Sequence, residues 1–320
     1  MLSKPHINHI KFLYHYQSMT LDTASPKAIR DRAIYLEDDF VLDRYKLEPL
    51  LARKAWYSSP LQFNDPFEGE FNFDLASSKG EQFIDICSMA SKENILNEKM
   101  TSHAVNVSQL PQQELVRQLE LALPFISRTF KDVIKRIVGI YCMSSTPKQA
   151  TMWAHYGGNH QGIALEFERN ESNICGLETY EVDYFDEPPL ISFSKVLNEV
   201  LGLRPQPGFE RMDAIGNSEL KKLLYNKTKQ WEYEAEWRSH QGTPGLHDMP
   251  GKLTAIVFGT KAPSCLVKYL MAQPELKNIK FKFLVTDKNR YEFKVVDHYQ
   301  YMIQGALEKN QDPDMSLFDV

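Results

Sequence analysis

Residues 229–239, Lys-Gln-Trp-Glu-Tyr-Glu-Ala-Glu-Trp-Arg-Ser, alternate with period two, the repeat of a β-strand rather than a helix. Read that way, Tyr233, Ala235 and Trp237 share one face, and Glu232, Glu234, Glu236 and Arg238 the other. Such a strand needs a sheet with one packed apolar face and a second face that is wet or turned into a cleft. Three carboxylates side by side repel one another. A solvated edge softened by Arg238 tolerates them, and so does a site that uses shifted pKa values or opposes a developing positive charge. Two of the four Trp residues, Trp231 and Trp237, flank these acids, which favours the site. The other two, Trp56 and Trp153, fall in segments with site-like chemistry of their own.

The remaining patterns predict an α+β chain. Strands are expected at Phe12–Gln17, Lys54–Ser58, Gly139–Met143, Gly162–Glu168, Thr179–Phe185 and Leu253–Gly259, with a closing pair at Ile279–Val285 and Glu292–Asp297. In Gly162–Glu168, Ile163, Leu165 and Phe167 alternate with Ala164, Glu166 and Glu168. Ser25-Pro26 has the chemistry of a helix start and predicts a helix to about Glu37. Further helices are expected over Leu47–Arg53, Gln149–Tyr156, Ser192–Leu203, Ser218–Gln230 and Pro263–Met271. Residues 80–138 read as a helical insertion broken at Pro111 and Pro124, packed back on the sheet. Helices and strands interleave without the regular βα alternation of a doubly wound fold. One domain over residues 1–304 and a flexible acidic tail over 305–320 follow.

Composition narrows the function classes. The chain has 320 residues, 42% hydrophobic, 25% charged and 12% aromatic, with a formal net charge of −5. That balance fits a globular protein with ample core and argues against a broadly basic nucleic-acid surface. Cys87, Cys142, Cys175 and Cys265 show no paired spacing, so neither a zinc knuckle nor a disulfide framework is indicated. Met1–Ile10 lacks an apolar run, and no segment approaches the ~18 apolar residues of a membrane span. A cytoplasmic protein without membrane contact is expected.

Three further segments carry chemistry. Trp56-Tyr57-Ser58-Ser59 runs into Asn64-Asp65-Pro66-Phe67-Glu68, whose Asn and Asp have turn chemistry and whose acids can close one side of a pocket. Residues 152–160, Met-Trp-Ala-His-Tyr-Gly-Gly-Asn-His, combine ring side chains with a Gly pair that can end a helix and admit a ligand. His155, His160, Glu166 and Glu168 are good metal ligands, but their spacing matches no HExxH-type motif, so no metal is expected. Tyr14-His15-Tyr16 sets a histidine between aromatics on a strand. There is no GxGxxG, no Walker A loop and no GxSxG elbow.

Taken together, Tyr14–Tyr16, Ser58–Glu68, Met152–Gly162 and Trp231–Arg238 resemble a widespread bacterial family known as a domain of unknown function, marked by FNDPF, MWAHY and WxxExEWR segments. More distantly, the chain is similar to ADP-ribosyltransferases, which carry a His or Arg on the first strand, a Ser or Tyr on a middle strand and a catalytic Glu on a later one. That resemblance implies a single split mixed or antiparallel sheet with surrounding helices and the helical insertion. It implies NAD as substrate, with glycosyl transfer or NAD glycohydrolysis, in bacterial stress or phage defence.

On this resemblance Glu236 is the charge-stabilising carboxylate and Glu234 the base. His15 holds the adenosine ribose, Tyr57 stacks on nicotinamide and Ser58 fixes the backbone beside it. Trp153, His155 and Arg238 complete the cofactor-binding set. His15, Tyr57 and Glu236 should then converge in one cleft. The acceptor is a protein, a nucleic acid or water. The rivals are a non-catalytic binding module on the same fold and a metal-dependent hydrolase or nuclease built on His155, His160, Glu166 and Glu168. At the end of the tail, Met315, Leu317 and Phe318 resemble the short peptide with which bacterial proteins dock on the replication sliding clamp.

Overall fold

The computed structural model describes residues 10–21, 31–37, 40–74, 109–192, 219–287 and 289–309, together with 102, 106–107 and 195. An eight-stranded mixed sheet organises it. Its strands, in chain order, are β1 (Phe12–Gln17), β2 (Gly139–Ser144), β3 (Ile163–Glu168), β4 (Tyr180–Glu181), β5 (Glu236–Gln241), β6 (Leu253–Phe258), β7 (Lys280–Asp287) and β8 (Glu292–Asp297). In space the order is β8-β7-β6-β3-β1-β2-β5-β4, and the β6–β7 pair is parallel. The molecule is thus α+β with a large mixed sheet, as the sequence predicts.

Alternation explains the layers. In β3, Ile163, Leu165 and Phe167 join Leu13, Tyr141, Met143, Trp237 and Phe258 in one apolar cluster, which α5 (Ser264–Met271) covers with Cys265, Leu266 and Leu270. Ala164 points the other way, into a smaller cluster with Tyr16, Met152, Trp153, Val257 and Leu284. A third cluster gathers Phe71, Phe73, Leu223, Leu224 and Tyr225 under α2 (Gln112–Ile137). Helix α1 (Arg44–Leu51) starts at Asp43, whose side chain accepts from the amide of Tyr45 and caps it.

The join between β1 and β2 is the weak line of the sheet. β1 pairs with β3 along its whole length, from Phe12↔Glu168 to Gln17↔Ile163. Toward β2 the register holds at one pair, Tyr14↔Ser144. In place of a further ladder bond, the His15 ring meets the carbonyl of Cys142.

Several sequence expectations change. Residues 229–234 form a 3₁₀ helix, and only Glu236–Gln241 is strand. Ala235 joins them in the left-handed region (φ 42°, ψ 52°), so the face assignment read from period two holds for the second half alone. The helix expected over 218–230 is shorter, α4 (Glu219–Leu224). It is followed by a strand, Asn226–Thr228, that pairs in parallel with Asp183–Phe185. Ala33–Tyr35 is a strand paired with Val41–Asp43, not the end of a helix; residues 22–30 lie outside the described residues. Pro124 lies inside α2 instead of breaking it, because Leu115, Ile126, Phe130 and Ile134 continue one buried seam across it. Leu190–Ser192 is a strand; of the rest of the helix expected over Ser192–Leu203 only Lys195 is among the described residues, and it is helical. Helix α6 (His298–Lys309) carries the chain into the stretch expected as tail. Met315, Leu317 and Phe318 lie outside the described residues.

Gly162 shows how tightly β1 and β3 close. A Cβ there would meet the backbone oxygen of Gln17 at 2.3 Å and that of Gly157 at 2.9 Å. Gly162→Ala should therefore cost about 1–3 kcal/mol, the range for overpacked sites. Gly242→Ala, with nothing within 4 Å of the new Cβ, should be near neutral. Urea denaturation of both variants checks this; equal losses would show that Gly162 is not sterically required.

Candidate functional site

Where β1 and β2 separate, a cavity of about 290 Å³ opens. Tyr14, His15 and Tyr16 line it from β1, and Tyr141, Cys142 and Met143 from β2. Trp56, Ser58, Phe63 and Asn64 close a second side, and Met152, Tyr156, Lys227, Glu234 and Glu236 a third. All four segments singled out in the sequence therefore contribute to one cavity.

The second side is built by local turn chemistry. Lys54–Tyr57 pairs with Gly245–Asp248, and the next residue, Ser58, exchanges two backbone hydrogen bonds of 2.9 Å with Ile140 of β2. Ser59 caps the short helical turn Pro60–Gln62. Asp65 then accepts from the amide of Phe67 at 2.9 Å, folding the Asn-Asp-Pro-Phe turn so that Glu68 points back into the protein.

Glu68 meets Arg238. The Arg238 guanidinium is fully buried, and each of its five N–H donors has an acceptor. Nε donates to Glu236 Oε1 at 2.9 Å, and Nη2 to Glu236 Oε2 at 3.2 Å and Glu68 Oε2 at 3.1 Å. Nη1 donates to Glu68 Oε1 and to the Leu224 carbonyl, both at 2.6 Å. The Phe63 ring lies 5.3 Å from the guanidinium carbon. The turn, α4 and β5 are thereby tied to one cation.

The cavity side of this network belongs to Lys227. Its ammonium donates to Glu234 and, at 3.2 Å, to Glu236, and sits 4.7 Å from the centre of the Trp231 ring. Glu234 also accepts from the Tyr156 hydroxyl at 2.8 Å, and Tyr156 is bridged to Asn64. Ala235 makes the geometry possible. Its left-handed turn lets Glu234, at the end of a 3₁₀ helix, and Glu236, at the start of a strand, approach the same ammonium, at a backbone cost of roughly 1 kcal/mol.

Three buried carboxylates, Glu68, Glu234 and Glu236, thus face two buried cations, Lys227 and Arg238, and the environments separate them. Burial by itself would raise Glu236, but Arg238 and Lys227 outweigh it and bring its pKa down to about 2. Glu234 is raised, by burial first, with Lys227 opposing. Glu68 is also raised by burial against the pull of Arg238. Burial lowers His15 to about 4, so its ring is neutral at pH 7. Its Nδ1–H donates to the Cys142 carbonyl at 2.7 Å, and the ring stacks on Tyr141 at 4.2 Å.

Of the residues expected at the site, His15, Ser58, Glu234 and Glu236 line the cavity. The other four are elsewhere. Tyr57 is fully buried beside Tyr141, with its hydroxyl 3.4 Å from Ser239 Oγ, because the alternation of its strand turns it into the core. Its neighbour Trp56, 58% exposed, faces the cavity instead. Trp153 is a core residue whose Nε1 donates to the Pro147 carbonyl at 2.8 Å. His155 is exposed on α3 (Ala150–His155). Arg238 lies behind the carboxylates and takes no part in the lining. The expected meeting of His15, Tyr57 and Glu236 therefore occurs for His15 and Glu236 alone, and the middle strand between them is β2. Sequence reasoning missed Lys227, which sits in an ordinary Asn-Lys-Thr-Lys run, and Tyr156 as a partner of Glu234. The acid after Phe67 was the available signal for Glu68. Among the described residues no group of three or more His, Cys, Asp or Glu is placed to hold a metal ion, and none of their helices is long and apolar enough to cross a membrane.

A family model described as "Protein of unknown function (DUF2971)" matches residues 152–239. The chain is similar to that family from α3 to β5. The matched stretch holds the Met-Trp-Ala-His-Tyr segment, Lys227 and both cavity carboxylates, while His15, Trp56 and the Phe-Asn-Asp-Pro-Phe turn lie outside it. Comparison with curated proteins and with solved structures gave no match.

Removing one partner of a buried ion pair typically costs about 3–5 kcal/mol. Arg238→Met should lose stability on that scale, and Arg238→Lys should recover only part of it, because an ammonium cannot fork to two carboxylates. Chemical denaturation gives both values. A loss below about 1 kcal/mol for Arg238→Met would show that the network is not what holds the turn to β5.

Proposed function

We propose that the cavity is a glycosyl-transfer site acting on NAD, on an ADP-ribosyltransferase-like split sheet, with transfer of ADP-ribose to a macromolecular acceptor or to water. The observation that carries this reading is the separation of Glu234 and Glu236. Two carboxylates in one cavity with pKa values pushed to opposite sides of the ordinary range suit two different roles. Glu236, held ionised, opposes the positive charge that develops on the ribose as its bond to nicotinamide breaks. The bonding electron pair leaves with nicotinamide, which departs neutral. Glu234, the carboxylate with raised pKa, accepts the proton of the water or acceptor group that attacks C1′. Trp56 offers the aromatic face first expected of Tyr57. The cavity is at the small end of ligand sites and suits the nicotinamide–ribose end better than the whole dinucleotide.

One observation favours the rival, a non-catalytic binding module. Glu236 is only 3% exposed and already paired with both Arg238 and Lys227, which spends much of its charge before any ligand arrives.

Incubation with NAD separates the two. Transfer chemistry predicts nicotinamide release by wild type and a loss of roughly a hundredfold or more in Glu236→Gln. The base works deprotonated, so activity should be present above the raised pKa of Glu234 and fall away as pH drops through it. Glu234→Gln should remove that limb of the profile. Wild-type protein that binds NAD without releasing nicotinamide would support the binding module; protein that does not bind NAD would remove the reading.

A further inference from the structure

One buried carboxylate has no part in this scheme. Glu166 is 2% exposed in the middle of the sheet, where an apolar side chain would hold the strands at least as well. Thr254 Oγ1 donates to its Oε1 at 2.9 Å; Lys282 Nζ, at 2.5 Å, and the Tyr14 hydroxyl, at 3.2 Å, donate to its Oε2. Tyr14 in turn lines the cavity.

The ladder register shows what Tyr14 faces. Glu166 pairs with Tyr14, Tyr14 with Ser144, and Ser144 with Glu236. Directly paired residues of antiparallel strands put their side chains on one face, so these four form a polar row across β3, β1, β2 and β5. His15, one residue on, belongs to the opposite face and stacks on Tyr141. On the first strand Tyr14 and Tyr16 share the face of Glu236; Tyr14 is the one in register with it through Ser144, and the Tyr16 hydroxyl is committed to the Thr146 carbonyl at 2.7 Å. Adjacent strands lie about 4.8 Å apart, so the two backbones are separated by roughly 10 Å, the width of a sugar ring and its hydrogen bonds. Between them, Ser144 Oγ is committed to the Glu234 carbonyl at 2.7 Å.

We infer that Tyr14 is a ligand-binding residue whose phenol oxygen accepts a hydrogen bond from a hydroxyl of a ribosyl ligand, and that Glu166, neutralised by Lys282, is the positioning residue that aims it. With its own proton directed at Glu166, the phenol presents lone pairs to the cavity. Desolvation and the neighbouring Glu166 raise the phenol's pKa, so that proton stays in place. The inference rests on reading the cavity as a site for ribosyl nucleotides.

The test uses the full chain with NAD, ADP-ribose and an NAD analogue lacking one hydroxyl of the nicotinamide ribose. Tyr14→Phe should weaken NAD binding, or raise its KM, about tenfold with kcat nearly unchanged, the value of one hydrogen bond. Glu166→Leu, which removes the acceptor of the Tyr14 proton, should show the same split. If it folds poorly because Lys282 is left unpaired, Glu166→Leu with Lys282→Met removes both charges together. Adding Tyr14→Phe to either should bring no further loss. The deoxy analogue should bind worse than NAD to wild type and equally well to Tyr14→Phe. Wild type that cleaves NAD while Tyr14→Phe keeps its KM overturns the inference alone. Wild type that binds ADP-ribose but does not cleave NAD overturns transfer, and Tyr14 is then judged by ADP-ribose affinity. Binding of none of these compounds overturns both.

Discussion

A single buried guanidinium sets the geometry on which the rest depends. Arg238 has no exposed surface and cannot lose its proton, so its five donors must find acceptors inside the protein. Two carboxylates and one carbonyl supply them, and each comes from a different part of the chain. Glu68 brings the Asn-Asp-Pro-Phe turn, Glu236 the first residue of β5, and Leu224 the end of α4. Once these are fixed, Phe63 and Asn64 stand at the cavity on one side and Glu234 and Glu236 on another. The site is thus a by-product of satisfying one charge, which explains why residues so far apart in sequence meet there.

The same arrangement decides the electrostatics. Arg238 alone would serve Glu68 and Glu236 as a buried triad. Lys227 adds the second cation on the cavity side and binds Glu234 as well as Glu236. With three acids against two bases, the excess negative charge has to reside somewhere. Glu236, which touches both cations, stays ionised most readily; Glu234, beside Lys227 and Tyr156, takes a proton more easily. The asymmetry comes from contact geometry and is built in before any ligand binds. The opening between β1 and β2 supplies the space, because there the His15 ring takes up a strand carbonyl that another backbone amide would otherwise meet.

Much of the sheet was legible because its strands alternate cleanly. Ile163, Leu165 and Phe167 against Ala164 and Glu166 fix which side of β3 is core, and β1, β2, β6, β7 and β8 lie near where their patterns place them. The acidic segment was legible in part. Glu234 and Glu236 do face one cavity, but period two describes only the second half, since Ala235 turns left-handed and residues 229–234 coil to meet Lys227. Trp56 and Tyr57 are neighbours on a strand and so point to opposite faces, but the pattern does not say which face is the core; packing of Tyr57 against Tyr141 and Ser239 settles that and takes Tyr57 out of the site. In the sequence Arg238 reads either as an edge residue softening its neighbours or, on the resemblance, as part of the cofactor-binding set, and it is neither: it lies buried behind the lining. Its burial depends on Glu68, whose approach across most of the chain leaves no local trace.

Everything proposed for the cavity requires that its two carboxylates, Glu234 and Glu236, protonate in different pH ranges. Carboxyl-carbon NMR on the full protein, with Glu→Gln variants to assign the signals, measures this directly. The Glu236 carboxyl should remain ionised down to about pH 2, while Glu234 should take up its proton above the ordinary glutamate value. Two signals that titrate together in the ordinary range, or with Glu236 protonating first, would contradict it.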